Sequence, residues 1–147
     1  VGKYATKDWN TGEILSPIEY TGGIEKLSLS SLSSELIVDD GDSGNHPYGQ
    51  VYTVSSYSDS VLFNGYSGWG SLSVYLKDSE NEPSILNNSL MDVDVRFSEF
   101  DIEGRIWIGI ASDSEPRVEI YEKDEESHYQ LTRTIYTTLS PNSIIFN

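Results

Sequence analysis

Strict two-residue alternation of apolar and polar side chains is the feature that most limits what this chain can become. In Ser71-Leu72-Ser73-Val74-Tyr75-Leu76 the apolar Leu72, Val74 and Leu76 fall on one side, and Ser71, Ser73 and Tyr75 on the other. Only an extended strand gives every second residue a common face. Met91, Val93, Val95 and Phe97 alternate in the same way with Asp92, Asp94, Arg96 and Ser98. A helix would scatter both sets, because residues two apart do not share a helix face. Beyond Glu103-Gly104, Ile106, Ile108 and Ile110 continue the period with Trp107 on the opposite side. Turn-forming stretches at 112–116 and 123–128 then separate further strands at 118–121 and 131–136, the pattern of an antiparallel meander.

The first half carries shorter signals. Residues 27–29, 35–38, 51–54 and 61–63 suit strands, the last of them just ahead of Asn64-Gly65, a hairpin-turn dipeptide. The stretch 26–35 is the one place with room for a short helix, through Leu27, Ser30, Ser31 and Ser34, although serine is a weak helix former. Residues 78–89 read as a long surface loop. In all, eight to ten short strands follow one another at roughly ten-residue spacing, with no helical stretch long enough for a βαβ crossover. The expected fold is all-β: an antiparallel β-sandwich, jelly-roll-like, with at most one short helix. Residues 1–147 are expected to form one such domain. Its core should take Leu72, Val74, Leu76, Met91, Val93, Val95, Phe97, Ile106, Ile108 and Ile110 on one face. Val1 in place of an initiating Met, and a strand-like run up to Phe146, lead to the expectation of a domain processed from a longer protein.

Charge narrows the partners. Asp and Glu number 24 against 9 Lys and Arg, a formal charge of −15, which argues against gripping nucleic acid or an anionic membrane through clustered cations. No apolar run approaches the roughly 20 residues that span a bilayer as a helix. With no cysteine, thiol catalysis, disulfides and cysteine-ligated zinc are all excluded.

Catalytic motifs do not assemble. Gly41-Asp42-Ser43-Gly44 resembles the segment around the nucleophile of chymotrypsin-like serine proteases, but both histidines, His46 and His128, lie downstream of the serine, and the turn reading prevails. Paired acids such as Asp92 with Asp94, or Glu99 with Asp101, fit a carboxylate-based hydrolase only through the abundance of acids. The expectation is therefore a non-enzyme. Asp39, Asp40, Asp42 and Asn45 place four side-chain oxygens within seven residues beside two glycines, and hard oxygen ligands on a bending loop make Ca²⁺ the candidate cation there.

Aromatic residues carry the functional expectation. Asn64-Gly65-Tyr66-Ser67-Gly68-Trp69-Gly70 sets two large rings among glycines, with Tyr57-Ser58-Asp59 just before it across a short strand. Rings with polar tips stack on sugar faces or partner surfaces, while Asn and Asp bind hydroxyls. Tyr57, Asp59, Asn64, Tyr66 and Trp69 are the expected ligand-binding set. In general character the chain resembles carbohydrate-binding modules and the protruding or receptor-binding domains of viral and phage structural proteins. That resemblance implies a recognition module outside a cell or on a virion surface, for a neutral glycan or a protein receptor. A structural assembly domain, dimeric or trimeric through its aromatic patch, is the alternative.

Overall fold

The computed structural model describes residues 10–11, 23–39, 53–67, 71–78, 81–91 and 93–146, with backbone alone at 39, 66, 67, 71 and 72. Ten strands follow in chain order: β1 (Gly23–Ser28), β2 (Ser33–Asp39), β3 (Val54–Tyr57), β4 (Ser60–Ser67), β5 (Ser71–Asp78), β6 (Ser84–Ile85), β7 (Asp94–Phe100), β8 (Ile106–Ala111), β9 (Arg117–Lys123) and β10 (Tyr129–Tyr136). Among the described residues the one helical element is a 3₁₀ turn, Asn88–Leu90. All pairings among the described strands are antiparallel. The fold is an all-β sandwich, as the alternation requires.

Two four-stranded sheets, ordered β3-β4-β5-β6 and β10-β9-β8-β7, pack face to face, and the β1–β2 hairpin forms a third layer. Neighbours in each large sheet are consecutive in sequence, so both are meanders. Among the described strands there is none of the interleaving that defines a jelly roll. Between the sheets, Leu62 and Val74 meet Val95, Phe100, Ile106, Ile108 and Ile110. Burying each such side chain contributes roughly 1.5–3 kcal/mol. On the other face of β4 and β5, Phe63 stacks on its cross-strand partner Tyr75 at 5.3 Å between ring centres, and Ile24 and Val38 of the hairpin cover them. The two central strands are thus buried on both sides. Val61-Leu62-Phe63 accordingly lacks alternation, as doubly buried strands do.

Several expectations change. Residues 26–35 form the β1–β2 hairpin rather than a helix, because the ladder pairs Lys26 with Glu35 and Ser28 with Ser33. Asn64-Gly65 is no turn. Both residues lie inside β4, paired with Val74 and Ser73, and the Asn64 side chain is satisfied in the core, its Oδ1 accepting from Ser98 Oγ at 2.5 Å. The 78–89 segment contains β6, which pairs with β5 through Ile85 and Ser84.

The single inward face expected from Met91 to Phe97 is split by a bulge. Val95 pairs with Ile110 but Phe97 pairs with Gly109, leaving Arg96 as the extra residue. An inserted residue reverses which side the following side chains take. Val95 therefore stays in the core between the sheets, Ser98 and Phe100 follow it, and Phe97 turns to the opposite face. There its ring lies so close to Gly109 that a Cβ at that position would sit 2.2 Å from Cε1. Leu76 and Val93 pack partly buried against the core, Met91 precedes the strand half-buried, and the side chain of Leu72 is outside the described residues. Trp107 faces away from Ile106 and Ile108, as alternation demands, with its ring edge against Phe146.

Candidate functional site

In a meander, every second turn returns to the same end of the sheet. The β3–β4, β5–β6 and β9–β10 turns accordingly converge at one end of the sandwich and enclose a cleft of about 590 Å³. That lies in the roughly 300–1,000 Å³ range of small-ligand sites. Tyr57, Ser58 and Asp59 come from the first turn, Asp78 and Asn81 from the second, and Lys123 and His128 from the third. A second lobe of about 480 Å³ continues past Asp78, Asn81, Ser127 and His128 to Leu76, Ile85, Leu86 and Tyr129.

Each turn is held by its own chemistry. The β3–β4 connection is two residues long, Tyr57 pairing directly with Ser60, with Ser58 in the left-handed region at φ 53°. In the β9–β10 turn the Asp124 carboxylate accepts from the backbone N–H of His128 at 2.8 Å and of Glu126 at 2.9 Å. The His128 N–H above all holds the Asp124 carboxyl below its ordinary value. These bonds fix where Lys123 and His128 stand at the rim.

The β7–β8 turn supplies the wall behind Tyr57. Asp101, buried at the end of β7, accepts four hydrogen bonds: from the N–H groups of Glu103 and Arg105, from Arg105 Nε at 2.6 Å and from Trp107 Nε1 at 2.9 Å. Burial pushes the Asp101 carboxyl up, but the Trp107 and Arg105 donors together outweigh it and the net direction is down. The turn so fixed places Gly104 at φ 78°. A Cβ there would meet Tyr57 Cε1 at 2.5 Å, so glycine lets the tyrosine ring lie flat on the turn. The Gly104 carbonyl accepts from the Tyr129 hydroxyl at 2.9 Å. Burial, reinforced by the Asp78 charge, pushes the Tyr129 phenol up to about 12, so it remains a neutral donor at physiological pH.

Within the cleft, Ser60 Oγ donates to Asp78 Oδ1, and Lys123 Nζ stands 3.9 Å from the same oxygen and 5.1 Å from the centre of the Tyr129 ring. Tyr57 is 39% exposed, with its ring presented at the cleft. The arrangement offers carboxylates, an amide and hydroxyls around one open aromatic face.

The residues singled out from sequence separate. Tyr57 and Asp59 line the cleft. Asn64 is 2% exposed and is used inside the core, so it is not available to a ligand. Asp59 and Tyr66 are not neighbours across a short strand. β4 runs eight residues, Ser60–Ser67, and carries them to opposite ends, about 23 Å apart at ~3.3 Å per residue. The side chain of Tyr66 and all of Trp69 lie outside the described residues, as do Asp40, Asp42, Asn45 and the side chain of Asp39. Among the described residues no group of three or more His, Asp or Glu could hold a metal ion. Asp78, Asn81, Lys123 and His128 are not in the ligand-binding set expected from sequence, where Asp78 figures only in an acidic-loop cation candidate with Glu80 and Glu82. The signal for them was turn parity, since alternate turns of two meanders must gather at one end. No family model, curated protein or solved structure matches the chain.

Proposed function

We propose that this domain is a non-catalytic recognition module that binds a neutral glycan in the end cleft, displayed outside a cell or on a virion surface. The observation that carries the reading is the make-up of the cleft: an open tyrosine face beside Asp59, Asp78, Asn81 and serine hydroxyls. Sugar hydroxyls bond in pairs to carboxylates and amides, while the C–H face of the ring stacks on an aromatic side chain. The reading is tested by titrating the protein with neutral sugars and following backbone amide shifts. The shifts should cluster at Tyr57, Asp59, Asn81 and His128, and Asp59→Ala should weaken binding about tenfold with the melting temperature unchanged. Shifts confined to another surface, or none with any sugar, would overturn it.

A second reading, an assembly contact, is favoured by one specific feature. The β1–β2 hairpin exposes Leu27, Leu29 and Leu32 at 59%, 81% and 81% within an uncharged leucine–serine run. Exposed apolar patches of this kind mark protein contacts. A dimer or trimer in solution that Leu29→Ser/Leu32→Ser returns to monomer would support this reading over the first.

A further inference from the structure

The end cleft is two-lobed. The first lobe, about 590 Å³, is lined by Ser58, Asp59 and Lys123 together with Tyr57. The second, about 480 Å³, is lined by Leu76, Ile85 and Leu86 together with Glu82 and Gln130. They share a saddle formed by Asp78, Asn81, Ser127 and His128. Each lobe alone lies within the volume range that accommodates a small ligand. One sugar ring would therefore leave the other lobe, and half of the available contacts, unused.

We infer, resting on the glycan reading above, that the ligand is an oligosaccharide of at least two rings. One ring occupies each lobe, and the link between them crosses the saddle beside Asp78. One Asp78 oxygen already accepts from Ser60, which holds the carboxylate in place across the path of the chain. Charge selects further. Asp59, Asp78, Glu82 and Glu126 line the cleft against Lys123, so sialylated or sulfated chains meet like charge on entry. The ligand class is an uncharged or amine-bearing oligosaccharide.

The test compares each monosaccharide with its own disaccharide and tetrasaccharide, using glucose, galactose and N-acetylglucosamine series with a sulfated counterpart of the best binder, by calorimetry at low salt. The tetrasaccharide of at least one series should bind at least tenfold more tightly than its monosaccharide, and the sulfated form at least tenfold more weakly than the neutral one. Asp59→Ala in the first lobe and Gln130→Ala in the second should each weaken the tetrasaccharide about tenfold, whereas the monosaccharide should respond to only one of them. Equal affinity for one ring and four, or a tetrasaccharide indifferent to one of the two substitutions, would overturn the two-lobe inference and leave glycan recognition standing. Absence of binding by every sugar would overturn both.

Discussion

Asp101 shows how one side chain can set the geometry of a site it never touches. Its carboxylate gathers four donors in the β7–β8 turn, and the turn in turn carries the glycine on which Tyr57 rests. Because its native proton affinity lies below the ordinary value of 3.8, the native state binds that proton more weakly than the unfolded chain does. The stabilisation is therefore present above the unfolded value and is lost as pH falls through the native one. Asp101→Asn should cost about 1–3 kcal/mol at neutral pH, as expected when buried donors lose a charged acceptor. Urea unfolding of the two proteins should show that gap narrowing in acid below pH 3.8. A gap unchanged by pH would mean that the carboxylate's charge contributes nothing there. Glu119 plays a comparable part farther along, accepting from Tyr121 Oη at 2.7 Å and Arg117 Nε at 2.8 Å, so a carboxylate turned toward the core keeps its partners.

At the scale of the strands, β7 separates what sequence discloses from what it does not. The alternation from Met91 to Phe97 announced a strand that begins only at Asp94, and Val95, Ile106, Ile108 and Ile110 went to the core as their period required. Phe97 did not, because a bulge is one residue inserted against a partner strand, and only the partner's register reveals it. Asn64-Gly65 misled for a related reason: turn propensity is local, whereas the ladder to β5 and the Ser98 hydroxyl that hold Asn64 in a strand come from distant parts of the chain. The cleft shows the same division. Tyr57 and Asp59 were legible as a polar–aromatic pair, but their partners depend on which turns share an end of the molecule. The bulge gives a direct check. Gly109→Ala should destabilise the protein by about 1–3 kcal/mol, the range for forcing extra atoms into a packed site, because the new Cβ meets the Phe97 ring. Adding Phe97→Leu should recover part of the loss. Thermal melts in which Gly109→Ala is neutral would place Phe97 on the inward face after all.

At the scale of the whole molecule, the described residues form three layers with their best-protected strands in the middle. β4 and β5 carry the core on one face and the hairpin cluster on the other, while β3 and β6 edge their sheet and β7 and β10 edge the second. Leu62, Phe63 and Val74 are each 0% exposed, so opening this centre requires separating both interfaces together. That placement turns Asn64-Gly65, the chain's single Asn-Gly step, into a chemical clock. Deamidation at such a step needs the glycine nitrogen to bend back onto the asparagine carboxamide and close a succinimide ring, a conformation incompatible with a paired strand. Here the Asn64 amide donates to Thr53 O and the side chain is occupied by Ser98. The ring can close only while the centre is open, so the rate at Asn64 follows the population of openings that reach β4. Peptide mapping of protein aged at mildly alkaline pH should find deamidation at Asn64 far slower than in the same peptide excised from the chain. Sub-denaturing urea should accelerate it in step with the fall in global stability. Equal rates in protein and peptide would show that the central strand parts readily. An archived sample would then carry in its isoaspartate content an integrated record of how long its interior had been exposed.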